Sequence, residues 1–297
     1  MNIVVCVLGS TNIWTCGISE LPTLLPGSPS ASSTPSPTPT PTPTPTPIST
    51  PEPTSGPGPG PETPPPSADP TGDPTAGPRP HQLPSDLLDL SDWFLTLPTG
   101  AKGDPDSVRQ PALTGFHNPY FRLNDAGDGV VFTANAGGTT TRNSSYPRSE
   151  LREMSGGQNA DWSNESGTHA LSVRQAVTEL PPVKPEIVTA QIHDAHDDVM
   201  QVRLEGHRLV AAYDDGRREV TIDPDYRLGT VFDLTIVAAD HRVRVFYNGM
   251  RKAEIDRAGS GWYFKSGTYL QSNPSRGDRP NAIGQVVIYA LDVRHSD

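Results

Sequence analysis

From residue 92 onward, apolar and polar positions alternate in short runs. Asp92-Trp93-Phe94-Leu95-Thr96-Leu97-Pro98 reads as a first strand, stopped by Pro98 and Gly100. Runs rich in Val, Ile, Thr, Tyr and Phe follow at 129–135, 148–154, 168–180, 187–195, 199–204, 208–213, 219–223, 231–238, 241–247, 262–271 and 284–294. Between them stand turn residues, with Asn248-Gly249, Asp215-Gly216 and Asp128-Gly129 the best turn signals. No long run has helical period, and no internal repeat is evident. Many short strands joined by short turns predict an all-β antiparallel sandwich or barrel.

The first 80 residues have a different texture. They hold 22 of the 34 prolines, crowded with Thr, Ser and Gly, and few large apolar side chains. Such a segment cannot bury enough surface to offset the entropy of ordering it. Residues 34–47 alternate Thr or Ser with Pro, a pattern that favours polyproline II and a semi-rigid spacer. Three regions are expected: 1–24 as a truncated signal or anchor segment, 25–82 as a disordered Pro/Thr/Gly-rich linker, and 83–297 as one globular domain. Residues 2–9 are mildly apolar but follow no Lys or Arg, unlike an ordinary secretory signal. Cys16 before a Pro/Ser-rich tether suggests a lipid-anchored cysteine, and the residues preceding it fit that poorly. A secreted protein, or one tethered to the cell surface, is expected. No stretch approaches the ~20 apolar residues of a membrane-spanning helix.

Net charge narrows the partners. The chain carries −11, of which residues 81–297 contribute −7, and an acidic body is a poor general binder of nucleic acid or anionic membrane. Both cysteines, Cys6 and Cys16, precede the linker, so the globular part has no thiolate for metal or nucleophilic work.

Three strand-like segments place chemistry on one face. In Arg148-Ser-Glu-Leu-Arg-Glu-Met154, strand alternation turns Arg148, Glu150 and Arg152 one way and Leu151 the other. The row is either a self-neutralised solvated face or a guanidinium held straight by a carboxylate to grip another carboxylate. In Ala190-Gln-Ile-His-Asp194, Gln191 and His193 share a face and Ile192 points inward. His193 and His196 are three apart, so a strand sends them to opposite faces, against a metal pair. In 262–273, Lys265, Gly267, Tyr269 and Gln271 share one face, with Phe264 and Leu270 on the other. A Gly within a strand often marks close approach to the backbone.

Arg, Gln, His, Lys and Tyr from three strands suit β-elimination from a uronic acid. That reaction removes the C5 proton, alpha to a carboxylate, and expels the C4 oxygen. The carboxylate must be neutralised, which Arg and an amide can do. A base and an acid are also needed, and neutral His and Tyr fit those tasks. The blocks Arg148-Ser-Glu-Leu-Arg152, Gln191-Ile-His193 and Tyr263-Phe-Lys-Ser-Gly-Thr-Tyr269-Leu-Gln271 resemble, in order, the signatures of polysaccharide lyase family 7, the alginate lyases. The opening Trp93-Phe-Leu-Thr-Leu-Pro98 resembles that family's first catalytic-domain strand, and the likeness covers about residues 87–295.

The resemblance implies a β-jelly roll of two antiparallel sheets with a concave substrate groove, no cofactor or metal, and a monomer acting on an acidic polysaccharide. It implies that Arg148, Gln191 and His193 neutralise the uronate carboxylate. His193 would take the C5 proton of guluronate, and Tyr269 would protonate the leaving oxygen. With mannuronate, Tyr269 would serve as both base and acid. Glu150, Arg152, Lys265 and Gln271 are implied as groove-lining, substrate-binding residues. Ile192 leans toward guluronate-containing or mixed blocks. The acidic run Asp194-Ala-His196-Asp-Asp198 departs from what a polyuronate groove wants: near the groove it would repel substrate. Glucuronan or another polyuronate therefore stands as an alternative.

Two other classes compete with this one. A carbohydrate-binding module is also a β-sandwich on such linkers, but it usually displays aromatic platforms, and this chain is only 6% aromatic. A glycoside hydrolase needs two carboxyl groups flanking the bond. Glu150 and Glu153, three apart, face opposite sides of a strand.

Overall fold

A computed structural model describes residues 82–296 and, as a separate unit, two N-terminal strands. β1 (Ile3–Leu8) pairs antiparallel with β2 (Trp14–Ser19). Of the expected linker, 25–82, residues 25–81 lie outside the described residues.

The large unit holds sixteen strands. One sheet is built from β3 (Trp93–Ala101), β4 (Asp104–Val108), β7 (Arg148–Ser155), β8 (Gln158–Asn159), β10 (Glu186–His193), β11 (Asp198–Glu205), β12 (Arg208–Tyr213), β13 (Arg218–Asp223) and β17 (Tyr263–Leu270). The other is built from β5 (Phe121–Leu123), β6 (Val130–Asn135), β9 (Thr168–Glu179), β14 (Phe232–Ala239), β15 (Arg242–Tyr247), β16 (Met250–Asp256) and β18 (Ile283–Ser296). The first sheet runs β13-β12-β11-β10-β17-β7-β3-β4, with β8 hairpinned onto β7; the second runs β16-β15-β14-β9-β18-β6-β5. Neighbouring strands are antiparallel throughout, giving the expected two-sheet jelly roll.

The alternation in the sequence decides which side chains lie between the sheets. Leu151, Ile192, Phe264 and Leu270 are each fully buried, packed in one cluster with Phe132, Val286 and Ile288 of the facing sheet. Burying one such side chain contributes about 1.5–3 kcal/mol, and the polar neighbours on each strand are left to the opposite face. Every predicted strand is present. The strands missing from the sequence reading are β1 and β2 in the N-terminal unit and β4, β5, β8 and β16 in the large one, of which β4, β5 and β16 form edges of the large unit's sheets. β16 reads Met-Arg-Lys-Ala-Glu-Ile-Asp, and charged edge strands of this kind guard against edge-to-edge pairing while hiding the apolar signal. Asn248 and Gly249 both take positive φ (50° and 77°) in the tight turn from β15 to β16, as that turn type requires.

At the centre of the first sheet the β10–β17 register shifts between Val188 and Ala190, opposite Gly267. Such bulges re-aim side chains and cluster beside functional sites. Gly267 has φ +138°, and a Cβ there would lie 2.6 Å from the Ser149 carbonyl oxygen. Gly267→Ala is therefore expected to cost on the order of 2 kcal/mol or more through strain and overpacking, measurable as a fall of several degrees in thermal unfolding.

Candidate active site

The strand order β10-β17-β7 brings the three sequence blocks side by side. Cross-strand register sets Gln191 beside Lys265, Lys265 beside Arg152, and Tyr269 beside Arg148. Above them opens a cleft of about 540 Å³, lined by Arg148, Arg152, Gln191, His193, Lys265 and Tyr269 from the predicted set.

Glu150 lies beneath this floor rather than in its lining and is only 1% exposed. Its carboxylate accepts from Arg148 Nη1 at 3.0 Å and Gln191 Nε2 at 2.5 Å, and it pairs with Lys265 Nζ at 2.5 Å. Burial alone would raise the Glu150 carboxyl. The Lys265 ammonium and Arg148 guanidinium, with hydrogen bonds from Lys265 and Gln191, outweigh it and hold the carboxyl below its ordinary value. Lys265 is driven the other way. Burial, then the neighbouring Arg148, bring it down to about 8 against the pull of Glu150.

This hub leaves donors for a ligand. Arg148 commits Nη1 to Glu150, while its buried Nε meets no protein acceptor. The Gln191 amide gives one N–H to Glu150, and an amide nitrogen has a second. The Arg148 guanidinium also packs 3.8 Å from the centre of the Tyr269 ring, fixing that side chain, and the Tyr269 hydroxyl meets Ser144 Oγ at 3.0 Å. These groups can neutralise an anion and deliver a proton at one place.

His193, the last residue of β10, sits at 2.6 Å from the Asp194 carbonyl oxygen through Nδ1. A carbonyl only accepts, so Nδ1 carries the hydrogen and Nε2 the lone pair of the neutral ring. Burial, then Lys265, hold the imidazole below its ordinary value, with Arg148 adding to them and the Asp194 carbonyl and Glu150 opposing. The ring is thus kept neutral at pH 7, as a base must be.

Gln271 stands apart from the set. It follows the last residue of β17, is buried, donates to the Leu270 carbonyl at 3.1 Å, and is not among the cleft-lining residues. Glu153 lies on the opposite face from Glu150, as alternation requires. It accepts from Trp162 Nε1 and the Phe264 amide, so the two carboxyl groups cannot flank one bond.

The acidic run does reach the cleft: Ala195, His196, Asp197 and Asp198 line it. Burial, then Asp197 beside it, push the Asp198 carboxyl up to about 6. The cleft is also lined by Arg109, stacked 4.3 Å over Phe94, and by the loop residues Arg142, Asn143 and Ser144. Sequence reasoning missed these, because loop residues carry no periodicity. It also missed Tyr263, whose parity with Lys265 and Tyr269 was a usable signal.

A family model described as alginate lyase matches residues 88–295. Among solved structures, the alginate lyase AlgAT5 from polysaccharide lyase family 7 is 48% identical with a TM-score of 0.71, over 73% of this chain and 100% of that one. The alginate lyase from Corynebacterium sp. is 44% identical, also with a TM-score of 0.71, over 73% of this chain and 100% of that one. An alginate lyase from Klebsiella pneumoniae is 42% identical over 76 residues, 24% of this chain and 24% of that relative, so this match spans about a quarter of the curated protein.

Proposed function

The chain belongs to the alginate lyases of polysaccharide lyase family 7, and from that membership we propose that it cleaves β-1,4-linked polyuronate by β-elimination, with guluronate-containing or mixed alginate as substrate. The observation that carries the reading is the convergence of Arg148, Gln191, His193, Lys265 and Tyr269 on one cleft. Arg148 and the Gln191 amide draw charge from the uronate carboxylate, which lowers the cost of forming an enolate-like dianion. His193 Nε2 removes the C5 proton of guluronate. The C5–H electrons form the C4–C5 double bond, the C4–O bond breaks, and Tyr269 gives its proton to the leaving oxygen. The products are a new hydroxyl end and a 4,5-unsaturated uronate. With mannuronate, whose C5–H points to the other face, Tyr269 acts as both base and acid beside the Arg148 and Lys265 cations.

The test is to incubate the full chain separately with polyguluronate, polymannuronate and glucuronan and follow the ultraviolet absorbance of the unsaturated uronate. A rise on an alginate block supports the reading, and a rise on glucuronan alone moves the substrate. With folded protein and no rise on any of the three, the lyase reading fails and a non-catalytic carbohydrate-binding role takes its place. The Pro/Thr-rich segment before the domain supports an extracellular or surface-tethered enzyme, checked by assaying activity in culture supernatant against cells.

The acidic wall sets a further expectation. Asp198 is charged above about pH 6 and faces a polyanion. Asp198→Asn is expected to lower KM for polyuronate by about threefold at pH 8 and low salt. The gain shrinks below pH 6, where the native carboxyl is itself protonated, and shrinks with added salt. Steady-state kinetics across pH and ionic strength check it.

A further inference from the structure

Tyr263 is among the cleft-lining residues that take no part in the elimination. We propose that Tyr263 is a positioning residue for His193, holding the Nδ1 edge of the ring so that Nε2 serves as base; this rests on the lyase reading above.

Tyr263 opens β17 directly opposite His193 in the sheet register. The two rings stack with centroids 5.5 Å apart and planes 22° from parallel. The Tyr263 hydroxyl lies 3.0 Å from both His193 Nδ1 and the Asp194 carbonyl oxygen. Because Nδ1–H already points at that carbonyl, the phenol donates its own hydrogen to the carbonyl and turns a lone pair toward Nδ1–H. Burial raises the phenol above its ordinary value, so its hydrogen stays in place. The Arg152 guanidinium, 3.8 Å from the Tyr263 ring centre, packs the ring and limits its motion.

The arrangement matters most once His193 has taken the C5 proton. The imidazolium Nδ1–H then has two acceptors, the Asp194 carbonyl and Tyr263. Its charged neighbours are Lys265 of β17 and Arg148 of β7, which oppose it, and Glu150 of β7 and the adjacent Asp194 carboxylate, which favour it. Removing the Tyr263 hydroxyl takes away one stabilising contact while leaving both opposing cations, so the imidazole becomes a weaker base.

Tyr263→Phe in the full chain keeps the ring, the stack and the Arg152 contact. On polyguluronate kcat is expected to fall about tenfold with KM within about twofold, the low end of the loss seen when the hydrogen-bond partner that orients a metal-bound His is removed. On polymannuronate kcat changes by less than about twofold, since the C5 epimer presents its proton to Tyr269. The His193 NMR titration moves to lower pH than in the native protein. Equal losses on both substrates, or no loss on polyguluronate, would overturn the proposal. Should the native chain cleave neither substrate, the lyase reading falls and the NMR titration alone decides. There, a downward shift upholds the positioning role and an unmoved His193 removes it.

Discussion

Tyr269→Phe is expected to lower kcat about 10³-fold on every polyuronate the protein cleaves, with the fold intact. The ring stays beneath Arg148 and only the hydroxyl is lost, whose protein partner is Ser144 Oγ. Without it no group is left to protonate the C4 oxygen, so the leaving group departs as an unstabilised alkoxide. The loss falls on kcat because the proton transfer occurs in the transition state, whereas substrate carboxylates still find Arg148 and Gln191. Mannuronate loses base and acid together, so its residual rate is expected to be the lower of the two. Ser144→Ala separates the hydroxyl's chemistry from its hydrogen bond, with an expected change of no more than a few-fold. Initial rates from product absorbance, with thermal unfolding as the control for folding, decide the matter. A Tyr269→Phe loss under tenfold would remove Tyr269 from the role of acid.

Glu150→Ala is expected to damage stability and activity together. The carboxylate is the common acceptor for Arg148, Lys265 and Gln191 at 1% exposure. Deleting it leaves two cations in one buried place without a counter-charge, and removing one partner of a buried pair costs about 3–5 kcal/mol. Lys265, already lowered to about 8, escapes part of that cost by giving up its proton. kcat is expected to fall about 10²-fold because Arg148 and Gln191 lose the contact that aims them. The pH dependence has a definite sign. Glu150 is held below its ordinary value of 4.5 in the fold, so its stabilisation is complete above 4.5 and fades as pH falls through the folded value. The stability gap between native protein and variant thus narrows in acid as Glu150 takes up its proton, and narrows again as pH rises toward 8, because the variant's Lys265 has already released the proton that the native Lys265 still holds. Chemical denaturation at several pH values measures it. A gap under about 1 kcal/mol at pH 7 would mean the hub is solvated rather than buried.

Much of the fold was legible because a strand's side chains alternate with period two. That rule placed Leu151, Ile192, Phe264 and Leu270 in the core and set Arg148, Arg152, Gln191, His193, Lys265 and Tyr269 on the cleft face. The same rule fails at charged sheet edges. β4 and β16 carry weak apolar signals because an edge strand trades burial for protection. It also fails where a strand stops: Gln271 shares the parity of Tyr269, but β17 ends at Leu270 and the Gln271 side chain is buried, donating to the Leu270 carbonyl rather than lining the cleft.

What the sequence determined by itself was the class of fold, the three blocks and the face each presents, since these depend on neighbours within one strand. Which blocks touch was decided by the tertiary structure, because sheet order is a long-range choice. Only with β17 between β10 and β7 does Glu150 meet Lys265 and Gln191. The sequence shows a plus-minus-plus row that reads equally as a solvated surface; burial beneath the floor makes it the anchor of the cleft. The acidic run after His193 was visible from the start, but whether it faces substrate depends on where a loop packs. The chain folds it into the cleft wall, where the charge of Asp197 and Asp198 faces the cleft instead of dissipating in solvent.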